Sequence, residues 1–222
     1  MADSIKLVAF DLDGVLVEEP GSWMQVHIAL GTQERALQNA SDFFNGKITF
    51  EEWARKDVML WRGVKVSTIR DILYKVPLMP GAAETLTQIK SQGIKIAIIT
   101  GGLKILADRI LETYGLDYSV GNELTEKNGR VTGVKKDVDF YGKGKILTEI
   151  AEQEGITTQE CACIGDHIND IPMFKIAGLS IAFNPKDDEL EKNAHHTIHE
   201  KKLEKILPIL LIKQHCTSPA QT

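Results

Sequence analysis

The sequence predicts an α/β protein with a doubly wound, Rossmann-like parallel sheet and a small helical domain inserted after the first strand. Three observations predict it. Short apolar runs at 5–10, partly β-branched, and at 94–100, 161–165 and 180–183 read as buried strands. From residue 81 onward these runs alternate with stretches of helical periodicity, the order that builds a parallel sheet. Residues 18–79 interrupt that order with consecutive helical patterns and no strand. The expected division is a core of 1–17 and 80–212, a helical module of 18–79 and a flexible tail of 213–222.

The elements follow in order. After the strand at 5–10, residues 22–30 form a short helix closed by Gly31. Residues 33–45 carry Ala36, Leu37, Ala40, Phe43 and Phe44 at helical spacing, closed by Gly46. Thr49, with Glu52 three residues on, makes a capping box. Phe50, Trp53, Ala54, Val58 and Trp61 then mark one apolar face, on which Asp57 also falls as a solvated carboxylate at its edge. Trp53 and Trp61 read as packing residues rather than a base-stacking platform. Ser67 caps a fourth helix holding Ile69, Ile72 and Leu73, and Pro77 and Pro80 punctuate its end.

In the second half a helix over 82–92 stops at Gly93 and precedes the strand at 94–100. Gly101 and Gly102 lead into a helix ending at Tyr114. A short strand at 118–120 follows, then a decorative hairpin turning at Asn128-Gly129. Residues 143–154 are helical, with Ile146, Leu147, Ile150 and Ala151 inward. Strands at 161–165, 180–183 and 196–198 complete the sheet. A helix over 203–212, limited or kinked by Pro208, closes the core.

Bulk composition narrows the function. With 43% hydrophobic and 26% charged residues over 222 positions, the chain has enough material for a core and a modest second domain. A net charge of −5 disfavours nucleic acid or an anionic membrane as the main partner. Lys135-Lys136 and Lys201-Lys202 read as solvated faces. Cys161, Cys163 and Cys216 match neither a disulfide framework nor a zinc spacing, and read as buried free thiols. The first apolar run is too short for a signal peptide, and no run reaches the length of a membrane span. A cytoplasmic protein is expected.

The chemistry gathers at strand ends, where ligands of doubly wound sheets bind. The first strand ends in Asp11-Leu12-Asp13-Gly14. Residues two apart in an extended chain share a face, and two carboxylates there are costly unless a cation or shared proton relieves them. On its own the stretch serves equally as a solvated turn. The second strand ends in Thr100-Gly101-Gly102, and a later one in Gly165-Asp166-His167-Ile168-Asn169-Asp170. Each has a bland reading as a turn or helix cap; the three together read better as one site.

These residues resemble the motifs of the haloacid dehalogenase superfamily, and across nearly the whole chain the phosphoserine phosphatase branch. DxD matches Asp11 and Asp13, a Ser or Thr at a strand end matches Thr100, a lysine at a helix start matches Lys143 with Lys145 as competitor, and GDxxND matches 165–170. The helical module at 18–79 is similar to the family's small cap. The resemblance implies a Mg²⁺-dependent phosphomonoester phosphatase working through an aspartyl-phosphate on Asp11, with Asp13 as acid and base. It implies Thr100 and Lys143 as further catalytic groups, Gly101, Gly102 and Asn169 as phosphate contacts, and Asp11, Asp13, Asp166 and Asp170 around the metal. Asp13 would ligate through its backbone carbonyl, and Asn169 and Asp170 would support the lysine and the metal shell. A small phosphorylated metabolite is the implied partner, with no nucleic acid, no membrane, and a monomer or homodimer.

Substrate recognition in that branch uses a glutamate nine residues after the nucleophile, for an ammonium, and a cap arginine, for a carboxylate. Pro20 occupies the first place, so Glu19 contacts substrate only through a one-residue gap. Asp57 occupies the second, where it would repel a substrate carboxylate. His167 stands where the branch has a small residue, and reads as a satisfied or exposed histidine. Alternatives are a phosphomutase-type phosphoryl transferase and a non-catalytic phosphate-binding regulator; the latter would be favoured by loss of a motif residue, and none is lost. A nucleic-acid-directed phosphatase would want a basic stripe.

Overall fold

In the computed structural model, residues 4–215 are described. Strand β1 (Leu7–Phe10) is followed by four helices, α1 (Gly21–Ala29), α2 (Gln33–Phe44), α3 (Phe50–Met59) and α4 (Val66–Leu73). The chain then runs α5 (Ala82–Ser91), β2 (Lys95–Leu103), α6 (Lys104–Tyr114), β3 (Tyr118–Lys127), β4 (Arg130–Lys135) and α7 (Lys143–Glu154). It ends with β5 (Cys161–Gly165), α8 (Ile171–Phe174), β6 (Leu179–Phe183), α9 (Asp188–Lys192), β7 (His196–Ile198) and α10 (Leu207–His215). The expected tail therefore begins inside a helix: 213–215 belong to α10, and 216–222, with Cys216, lie outside the described residues. The closing helix expected over 203–212 is divided: Leu203–Ile206 form a 3-10 turn and α10 starts at Leu207. Pro208 lies in its first turn, where its missing N–H costs nothing, and limits the helix rather than kinking it.

The sheet order is β4-β3-β2-β1-β5-β6-β7. All pairings are parallel except β3 with β4. β1 lies between β2 and β5, so the chain winds outward on one side and then returns to the other, which opens a crevice beyond the carboxyl end of β1.

The strands read as continuous apolar runs because both sheet faces are covered. On one face Val8, Phe10, Ile96, Ile98, Ala162, Ile164 and Ile181 join the larger core. Leu7, Ala9, Ala97, Ile99, Cys161 and Cys163 point to the other, under α7 and α8. Burial pushes the Cys161 thiol up to about 12 and Cys163 well above its ordinary value, so both act as small apolar side chains.

Two local expectations change. The hairpin of β3 and β4 is no decoration: β3 runs on into it, and its far end braces the helical segment. Gly63 N–H donates to Val131 O and Val131 N–H to Val64 O, each at 2.9 Å, and Val66 N–H reaches Gly129 O at 2.9 Å. That last bond takes the first helical N–H of α4, so the N-cap is Lys65 and Ser67 lies inside the first turn. The capping box at α3 does form. Glu52 N–H donates to Thr49 Oγ1 at 3.2 Å and Thr49 N–H to Glu52 Oε2 at 2.8 Å, an arrangement of the kind that stabilises by about 1 kcal/mol.

Candidate active site

The ends of β1, β2 and β5 converge on one cavity of about 320 Å³, roofed by α1, α2 and α3. Lys143, the first residue of α7, is fully buried and bridges the strand ends. Its Nζ lies 2.8 Å from Asp11 Oδ1 and 2.5 Å from Asp170 Oδ1. Burial works against its charge, but the two carboxylates outweigh burial and hold its pKa above the ordinary lysine value. Lys145 is exposed and reaches only Glu149, at 3.6 Å.

Asp170 is held on both oxygens. While Oδ1 meets Lys143, Oδ2 accepts from Asp166 N–H at 3.0 Å and His167 N–H at 3.2 Å. Gly165 is needed for this loop, since a Cβ there would fall 2.3 Å from the Asp170 carboxylate.

Asp13 faces α1. Its carboxylate accepts from Ser22 N–H and Ser22 Oγ–H, both at 2.8 Å, and Ser22 Oγ in turn accepts from Leu103 N–H at 3.0 Å. Thr100 is buried, and its Oγ1 accepts from Gly102 N–H at 2.8 Å. A Cβ on Gly102 would meet Asp13 Oδ2 at 2.5 Å, so only glycine fits. The Gly101 carbonyl is fixed from two sides, by Trp23 Nε1–H at 3.0 Å and Asn122 Nδ2–H at 2.9 Å. Asn169 lines the cavity with its buried Oδ1 free of hydrogen bonds.

The acidic groups outnumber the cations. Asp11, Asp166 and Asp170, all buried, offer oxygens within 4.8 Å of one another. Asp166 Oδ2 is 2.8 Å from Lys186 Nζ, but not aligned as a hydrogen bond. Burial, with Asp11 next to it, raises the Asp166 pKa well above the ordinary range. It also raises Asp170 to about 6, against the pull of Lys143. A divalent cation fits such hard oxygen donors and would relieve their repulsion. Asp13's carboxylate is not in this trio.

Burial, then the charge of Asp11, raises Asp13 to about 6 from 3.8. Because the folded value is the higher one, the stability tied to Asp13 is fully present below about pH 4 and is lost as pH rises through about 6. Metal-free protein is therefore expected to lose up to about 3 kcal/mol across that window through this group. Asp13→Asn should flatten that part of the curve in urea melts at pH 4 and pH 7.

Glu19 lines the cavity at its rim and pairs with Lys186. Lys186 belongs to none of the sequence motifs. It follows Asn184-Pro185 beyond β6, so the strand-end rule extended to a fourth strand would have found it. Ser22, His27, Asn39 and Asn122 carried no sequence signal, because their partners are remote in the chain.

Asp57 corrects an expectation. It is buried, not solvated, and lines the cavity. Asn39 Nδ2–H donates to its Oδ1 at 2.7 Å, and His27 Nε2 lies 3.3 Å from its Oδ2, short of good hydrogen-bond alignment. His27 Nδ1 faces Trp61 Nε1–H at 3.2 Å. Tryptophan only donates, so Nδ1 accepts and the ring proton belongs on Nε2. His167 lies at the cavity wall near the rings of Phe44 and Phe140, at 6.4 and 5.9 Å, and burial lowers its pKa.

Residues 5–178 match the haloacid dehalogenase-like hydrolase model, and the chain belongs to that family. Within it the chain stands among the phosphatases, hydrolases of phosphoric monoesters. It is 35% identical to the phosphoserine phosphatase of Methanocaldococcus jannaschii over 91% of this chain and 96% of that one. It is 37% identical to that of Archaeoglobus fulgidus over 82% of this chain, but spans about half (53%) of that relative's length. A solved phospho-aspartyl intermediate analogue of phosphoserine phosphatase superposes with a TM-score of 0.83 at 34% identity, covering 94% of this chain and 100% of that one. A substrate-bound phosphoserine phosphatase complex gives 0.83 at 33% identity, over 94% and 99%. No helix among the described residues is long and apolar enough to cross a membrane.

Proposed function

We propose that the chain is a Mg²⁺-dependent phosphatase of a small phosphorylated metabolite, that Asp11 is its nucleophile, and that 18–79 is the cap over its site. The observation that carries this reading is Lys143 buried between Asp11 and Asp170, with Asp13 held alongside on Ser22. Asp11 attacks phosphorus and becomes the aspartyl-phosphate as the ester oxygen leaves. Asp13, positioned by Ser22 and able to carry a proton near neutral pH, donates it to the leaving alcohol. It then takes a proton from the water that cleaves the acyl phosphate and releases inorganic phosphate. Lys143, the Thr100 hydroxyl and backbone N–H groups at the carboxyl end of β2 hold the transferring oxygens. Asp170 aims Lys143, and the Asn169 Nδ2–H donates to the incoming phosphate. Asp11, Asp166 and Asp170 would hold the cation, which supplies the charge neutralisation that lets a carboxylate approach a phosphate dianion.

Phosphate release from an aryl phosphate tests this reading. EDTA is expected to lower the rate by at least about 100-fold and added Mg²⁺ to restore it; full activity in metal-free buffer would refute the metal role.

A further inference from the structure

The phosphate end of the cavity is rich in charge, but the cap end has a different character. Its wall is Trp23, Phe44, Phe50, Trp53 and Phe140, with Asp57 among them. Phe43 stacks on Trp53 at 4.9 Å and meets Phe140 at 5.0 Å, which ties the cap rings to the core. Both Asp57 oxygens face donors, Asn39 Nδ2–H and the Nε2–H of His27, which suits an ionised carboxylate that can only accept. The Trp61 indole N–H donates to His27 Nδ1, so that nitrogen serves as acceptor and the ring turns its Nε2 toward Asp57. Of the lysines and arginines, Lys186 alone lines the cavity among the described residues, and it is committed to Glu19 and Asp166.

From this we infer that the leaving group of the substrate is a small amino alcohol, bearing an ammonium and no carboxylate, and that Asp57 selects it. The inference rests on the phosphatase reading above and adds the class of ester. An ammonium there meets one buried negative charge and the negative faces of aromatic rings, both attractive. A carboxylate meets the same charge with no cation to answer it. His27 and Asn39 act as positioning residues, holding Asp57 toward the cavity. Hydrolysis takes up one water and yields the free amino alcohol and inorganic phosphate.

The test measures kcat/KM of the Mg²⁺-loaded full chain on four esters: p-nitrophenyl phosphate as a control for the chemistry, phosphoethanolamine, O-phosphoserine and the uncharged glycerol phosphate. Phosphoethanolamine is expected to exceed both phosphoserine and glycerol phosphate by about 100-fold. Asp57→Asn is expected to shrink the phosphoethanolamine-to-phosphoserine ratio by at least about tenfold. Turnover of the aryl ester with phosphoserine or glycerol phosphate equal to or better than phosphoethanolamine overturns the inference and leaves the phosphatase reading intact. An unchanged ratio in a folded Asp57→Asn protein overturns it as well. Should that variant not fold, the wild-type ratio decides alone. Failure on every ester, the aryl control included, removes the phosphatase reading and this inference with it.

Discussion

Asp11→Asn is expected to lower phosphate release from any phosphomonoester by at least about 10⁴-fold, the scale on which loss of a covalent nucleophile is felt. The same variant should fold at least as well as wild type. Asparagine keeps the shape of the side chain and an oxygen for Lys143, which still has Asp170 as its ionic partner. It also removes a negative charge that raises the pKa of Asp13, Asp166 and Asp170. A thermal melt of the metal-free protein should therefore show an unchanged or higher midpoint beside an inactive enzyme. Near-normal turnover would mean that another group attacks phosphorus.

Lys143→Met is expected to damage both activity and stability. Methionine fills much of the buried volume but leaves Asp11 and Asp170 facing each other with no cation between them. Breaking a buried ion pair from one side costs about 3–5 kcal/mol, and activity should fall by at least about 10³-fold with the loss of charge at the transferring oxygens. The stability loss has a pH signature. Asp170 already has its pKa raised to about 6 with the lysine present, and without it the carboxylate should take up a proton more readily. The deficit in urea melts should therefore be largest near pH 7 and shrink toward pH 4. A deficit that does not vary with pH would assign it to packing instead.

The contrast between Lys143 and Asp57 shows where a sequence speaks. Lys143 begins a helix in a segment that resembles the family's lysine motif, with Lys145 as competitor; the structure buries Lys143 between Asp11 and Asp170 and leaves Lys145 exposed. Asp57 lies at the edge of an amphipathic face, a position that on sequence alone reads as solvated. Its burial depends on His27 and Asn39, contributed by two other helices, and on Trp61, which fixes the histidine's proton. The same holds for Ser22 and Asp13: the serine stands at a helix start, and only the approach of α1 to the end of β1 makes it the partner of the Asp13 carboxylate.

Alone, the sequence determined the alternating core, the inserted helices and the strand-end residues that meet at the crevice. Those follow from local periodicity and from the rule that parallel strands present their carboxyl ends on one side. Tertiary structure decided that β3 runs into the hairpin that braces the helical segment, that Lys186 joins Glu19 and Asp166, and that Asp57 is buried at the cavity wall. Each depends on contacts between segments far apart in the chain, where the burial of a charge and the donor that meets it are set by packing and leave no period in the sequence.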